Sequence, residues 1–127
     1  MIVLDASVMI AILDREDAHF DAAKRLFDEN AAERLAAHRL TFAEALVQAV
    51  RTGRGKAVAA GLAALGVELV DVLDDPLDLA EVRVESNLKV PDSCVLLAAI
   101  RARASIATFD RGLAESAHRF GVDVVTA

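Results

Sequence analysis

The chain has 127 residues, with 20 acidic side chains against 14 basic ones, a formal net charge of −6 and an apolar fraction of 55%. That length corresponds to one domain, residues 1–127, large enough to hide roughly two-thirds of its unfolded surface, and so apolar a composition excludes disorder. The acidic balance excludes a DNA-coating protein or one held to anionic lipid by a polybasic patch, but it leaves an enzyme acting on nucleic acid open.

In chain order, a strand is expected over residues 2–4. The first cation is Arg15, and Asp5 and Asp14 interrupt the apolar run, so this start does not read as a signal peptide. Phe20, Ala23 and Phe27 mark a helix, and residues 34–38 a second strand. Phe42, Ala45, Leu46, Ala49 and Val50 form one buried helical stripe ended by Gly53, and Val58, Gly61, Leu62 and Leu65 form another. A strand over 68–72 precedes a helix carrying Leu77, Ala80, Val84 and Leu88. Residues 92–103 are apolar on nearly every face before Arg101, as in a central helix, and Pro91 is its expected first residue. A strand over 105–109, a helix with Leu113, Ala117 and Phe120, and a strand over 122–125 complete the series. Strands alternating with helices imply an α/β fold with a central parallel sheet of about five strands flanked by helices.

No apolar run reaches the ~18 residues needed to cross a bilayer, so no membrane is expected. Cys94, the single cysteine, reads as a small core residue in a reducing cytoplasm. His19, His38 and His118 share no metal-ligand spacing and read as surface or half-buried residues.

The chemistry is expected at the carboxyl edge of the sheet, where open α/β sheets bind ligands. Asp5 and Asp110 end strands there, and Glu44 and Asp92 lie in the first turns of their helices. Each acid also has a purely structural explanation. Thr41 and Glu44 match a capping box, Asp92 complements a helix dipole, and Asp5 and Asp110 suit N-caps. Four carboxylates on one rim, however, repel one another. A pair ~4 Å apart costs about 4 kcal/mol at an effective dielectric near 20, so the group needs protons or a cation. An all-oxygen, carboxylate-rich set favours Mg²⁺ or Mn²⁺, which can orient water and neutralise a phosphodiester. Ser7 and Thr108, each two residues from an edge Asp, are placed to orient a carboxylate or to bond locally within a loop.

These residues carry a resemblance. Asp5-Ala6-Ser7-Val8, Leu40-Thr41-Phe42-Ala43-Glu44, Pro91-Asp92-Ser93-Cys94 and Ala107-Thr108-Phe109-Asp110 resemble, in order, the four acidic motifs of PIN-domain ribonucleases, and more narrowly those of single-domain VapC toxins. The resemblance implies a PIN fold and Mg²⁺- or Mn²⁺-dependent endonucleolytic cleavage of RNA. It also implies homodimerisation and inhibition by a VapB-type antitoxin. Asp5, Glu44 and Asp92 correspond to the core metal-site acids, and Asp110 to a fourth acid of more variable role. Ala6 departs from the hydroxyl residue that many relatives carry there.

Arg51, Arg54 and Lys56 are the densest basic group, and Lys89, Arg101, Arg103 and Arg111 extend a cationic border suited either to RNA phosphates or to a solvated surface. With no Trp or Tyr, an aromatic stacking platform for bases is not expected. Asp71, Asp74, Asp75 and Asp78 around Pro76 read as helix-start chemistry, and the glycines at 53 and 55 do not complete a phosphate loop. Three alternatives remain at this level. A receiver-like module lacks its acid pair and late Lys, a dehalogenase-like phosphatase lacks an Asp at position 7, and an inactive PIN-like binding and dimerisation domain keeps the same fold.

Overall fold

The computed structural model describes residues 1–70 and 74–125. Five short strands, β1 (Ile2–Leu4), β2 (Leu35–Ala37), β3 (Val67–Leu69), β4 (Ser105–Ala107) and β5 (Val124–Val125), form one sheet in the order β3-β2-β1-β4-β5, and every pairing is parallel. Seven helices connect them among the described residues: α1 (Ala6–Leu13), α2 (Phe20–Glu29), α3 (Arg39–Arg51), α4 (Gly55–Ala64), α5 (Pro76–Ser86), α6 (Val90–Ala102) and α7 (Arg111–Arg119).

Alternation along the strands divides the core in two. Ile2, Leu4 and Ala107 pack on one face with Val8 and Met9 of α1, Leu26 and Phe27 of α2, and Leu62 of α4. Val3 and Ile106 point to the other face, against Val95, Leu96 and Ala99 of α6 and Leu113 and Ala117 of α7. Each fully buried Leu or Val contributes about 1.5–3 kcal/mol, so both faces are well supplied. The strand order reverses at β1, whose neighbours continue the chain in opposite directions. A crevice therefore opens at the carboxyl ends of β1 and β4.

Several sequence expectations need correction. Residues 6–13 form a helix that no apolar stripe announced, because nearly all its residues are apolar; Ala6, Val8, Met9 and Ala11 are buried, while Ile10 and Leu13 are exposed. The Thr41–Glu44 capping box does not form. His38 is the N-cap of α3, its Nδ1 accepting the Leu40 N–H at 3.1 Å, and this places Thr41 inside the helix and Glu44 in its second turn. The strand over 34–38 is correspondingly shorter, and α6 begins at Val90, one residue before Pro91. Val50 and Leu65 are exposed, as are Leu77 and Val84 on α5, because α5 meets the body of the molecule chiefly through α6 and through Val82. Of the strand expected over 68–72, residues 71 and 72 lie outside the described residues, as does Asp71. Gly53 ends α3 at φ +74, a conformation that a side chain would strain.

Candidate active site

Asp5 leaves β1 at the reversal point. It is the N-cap of α1, yet its side chain makes no capping bond. Instead Oδ2 accepts two hydroxyl hydrogen bonds, from Ser7 Oγ at 2.9 Å and from Thr108 Oγ1 at 2.8 Å. Those hydroxyls are themselves oriented by backbone: the Phe109 N–H donates to Ser7 Oγ and the Asp110 N–H to Thr108 Oγ1, both at 3.0 Å. With each oxygen already accepting an N–H, its proton goes to Asp5. Hydrogen bonds to a carboxylate are worth about 1.5–3 kcal/mol each. The loop after β4 thus holds the carboxylate that follows β1, across 103 positions of sequence.

Asp110 caps α7, with Oδ1 accepting the Leu113 N–H at 2.9 Å. A Cβ at Gly112 would approach that same oxygen to 3.2 Å, so the missing side chain leaves the carboxylate its room. Asp92 stands in the first turn of α6 and is partly buried. Its pKa is raised from 3.8 to about 6, first by burial and then by the negative charges of Asp5, Asp110 and Glu44, with Lys89 at the start of α6 opposing them. All four acids therefore act on one region of space. The cap reading holds for Asp110, and a dipole contribution remains for Asp92, but neither accounts for the hydroxyl clamp on Asp5.

The basic residues divide. Arg54 shares a cleft of about 410 Å³ with Glu44, between α1, α3 and α4, where Asp14, Gln48, Thr52 and Val58 also contribute to the walls. Lys56 lines a separate, more open groove with Leu46 and Val50. Arg51 is exposed in the last turn of α3, and Arg111 opens α7 directly after Asp110. Arg101 pairs with Asp78.

Two groups escaped the sequence reading. His38 is buried, at 7% exposure, rather than on the surface, and its Nε2 lies 2.5 Å from Asp74 Oδ2. Because Nδ1 accepts a backbone N–H, the neutral ring carries its proton on Nε2 and donates it to Asp74. Asp74 is thus not helix-start chemistry; that role falls to Asp75, whose Oδ1 accepts the Leu77 N–H. Thirty-six positions separate His38 from Asp74, so no local spacing announces the pair. The second group is Gln48, one turn beyond Glu44 on α3, which the i, i+4 spacing places in the same cleft.

The model of the PIN domain family matches residues 2–119. No curated protein matches the chain significantly. Among solved structures, PAE2754 from Pyrobaculum aerophilum is 27% identical, with a TM-score of 0.62 over 98% of this chain and 90% of that one. A toxin–antitoxin complex from Klebsiella pneumoniae is 21% identical, with a TM-score of 0.70 over 99% and 97%. VapC20 from Mycobacterium tuberculosis, described as a sarcin–ricin loop-cleaving toxin, is 19% identical, with a TM-score of 0.65 over the full length of both chains.

Proposed function

The chain belongs to the PIN domain family, and from that premise we propose that it is a divalent-metal-dependent endoribonuclease, the toxin of a VapC-type toxin–antitoxin pair. The observation that carries this reading is the convergence of Asp5, Glu44 and Asp110 on Asp92, whose pKa is raised to about 6 first by burial and then by those three charges. Four carboxylates acting on one another belong to a site with unmatched negative charge. The donor set fits a hard cation: all four ligands offered are carboxylates, and both hydroxyls on Asp5 bind Oδ2, so Oδ1 receives neither of them.

In this reading Asp5, Glu44 and Asp92 hold Mg²⁺ or Mn²⁺, and Asp110 completes a second position. The bound ion supplies charge neutralisation at the phosphodiester and acidifies a water molecule. The protein's share is placement. Ser7 and Thr108 fix the Asp5 carboxylate, Lys89 tempers the charge at Asp92, and Arg54 attracts the RNA backbone along the cleft that reaches Glu44. Arg51, Lys56 and Arg111 add longer-range attraction. An antitoxin as cognate partner is supported by the Klebsiella pneumoniae complex, and RNA as substrate by the VapC20 neighbour. Homodimerisation and a cytoplasmic location follow from the VapC-type reading. Among the described residues no helix is long and apolar enough to cross a membrane.

The test is RNA cleavage by the purified chain with Mg²⁺ or Mn²⁺, with chelator, and with Asp5→Asn or Asp92→Asn. Metal-dependent cleavage that both substitutions abolish is expected. Cleavage that survives chelation and both substitutions refutes the mechanism, and a well-folded chain inert towards all RNA leaves the inactive binding domain as the better reading.

A further inference from the structure

The helices that carry Glu44 and Asp92 also contribute to a second group of metal-ligating side chains that the proposed reaction does not use. His38, Asp74 and Cys94 each offer one donor atom, and all three atoms lie within 4.8 Å of one another. His38 and Cys94 are buried, and Asp74 retains 17% side-chain exposure, which provides a way in. One further fact points to a ligand. Asp74 Oδ1 is a buried carboxylate oxygen without a hydrogen-bond partner among the described residues, a costly arrangement for a carboxylate. The set also mixes a ring nitrogen, a carboxylate oxygen and a sulfur, a combination that suits borderline ions such as zinc rather than Mg²⁺.

We infer that His38, Asp74 and Cys94 form a zinc-class transition-metal site, separate from the carboxylate rim, that ties the start of α3 and the segment before α5 to α6. Tetrahedral bonds of about 2.0 Å to N and O and about 2.3 Å to S place donors roughly 3.3–3.5 Å apart. The His38–Asp74 contact therefore opens by less than 1 Å while the sulfur side closes. On binding, the Cys94 thiol releases its proton to solvent. The neutral His38 ring transfers its proton from Nε2 to Nδ1, which frees Nε2 for the ion and gives up the bond from the Leu40 N–H. A water molecule completes four-coordination. The ion brings a partner to Asp74 Oδ1 and pins the helices that carry Glu44 and Asp92, so the site acts as a staple for the acids those helices carry.

Cobalt(II) tests this directly, because the chain has a single cysteine and any thiolate-to-cobalt charge-transfer band reports Cys94. Titrating the metal-stripped full chain should produce that near-ultraviolet band together with the visible bands of a tetrahedral centre. Zinc should displace both and raise Tm. Asp5→Asn should retain the spectrum, which separates this site from the rim, whereas Cys94→Ser, His38→Gln and Asp74→Asn should lose it. A folded wild-type chain that gives no thiolate band in excess cobalt overturns the inference, and no variant is needed for that result. A band that persists in both His38→Gln and Asp74→Asn also overturns it, since Cys94 would then bind without its partners.

Discussion

Asp92→Asn should make the metal-free protein more stable at neutral pH while removing its activity. The folded-state pKa of about 6 stands above the ordinary value of 3.8, so the folded chain holds this proton more tightly than the unfolded one. The sign follows: no penalty exists below about pH 3.8, a penalty grows as pH rises from 3.8 to about 6, and it is complete above that. The interval from 3.8 to about 6 corresponds to about 3 kcal/mol. Asp92 is only partly buried and solvent screens its neighbours, which reduces the figure to about 1.5 kcal/mol. For a chain of this size that is a Tm rise of about 5 °C. Thermal unfolding followed by circular dichroism in EDTA, at half-unit steps from pH 3.5 to 8, measures the difference between wild type and variant. It should be at its smallest below about pH 4, reach about half its final size near pH 5 and level off above pH 6.5. Adding Mg²⁺ or Mn²⁺ should raise the wild-type Tm and not the variant's, closing the gap. A variant less stable than wild type at pH 7.5, or a difference that does not vary with pH, would show that the carboxylates do not strain one another.

Thr108→Val removes one of the two hydroxyl donors to Asp5 and should cost about 1.5–3 kcal/mol; chemical denaturation checks the stability, and a loss of kcat larger than any change in KM checks that Asp5 has moved. Arg54→Glu should weaken RNA binding and make the salt slope of log K shallower by at least about 0.7, with Lys56→Glu doing less because it lines a different groove; fluorescence anisotropy at several salt concentrations separates them. Leu62→Ala, at a fully buried position, should lower stability by about 2–5 kcal/mol, whereas Val84→Ser, at 81% exposure, should change it little; equal effects from the two in urea titrations would contradict the placement of the core.

Much of the fold could be read from the sequence because its signals are local. Short β-rich runs between helical stripes announced all five strands within a few residues, and Gly53 and Pro76 mark helix boundaries through their own backbone chemistry. The four acids were legible for a related reason: Asp5 and Asp110 directly follow the edge of the sheet, Asp92 stands in the first turn of its helix, and Glu44 lies in the second turn of a helix that follows β2. What escaped was set by distance along the chain. Periodicity did not reveal α1, since a helix that is apolar even on its exposed side, at Ile10 and Leu13, has no polar face to contrast with. The capping box at Thr41 and Glu44 matched in residue type, but His38 supplied the cap three residues earlier. His38 looked ordinary because its partners, Asp74 and Cys94, lie 36 and 56 positions away, and only the packed structure brings them together.

The clamp between Thr108 and Asp5 has a consequence for the chain as it is made. Its two halves are separated by 103 positions, and β1 gains its neighbour β4 only when residues 105–107 are available. At ~5–20 residues per second, synthesis leaves Asp5 waiting several seconds or more for the hydroxyl that holds it. Parallel pairing over such a span is also slow to close. Until Thr108 has been made, Asp5 lacks one of the two hydroxyls that orient it, and the rim is incomplete until Asp110 follows. On the proposed reading as a ribonuclease, that order of assembly holds back cleavage until the loop after β4 has been made.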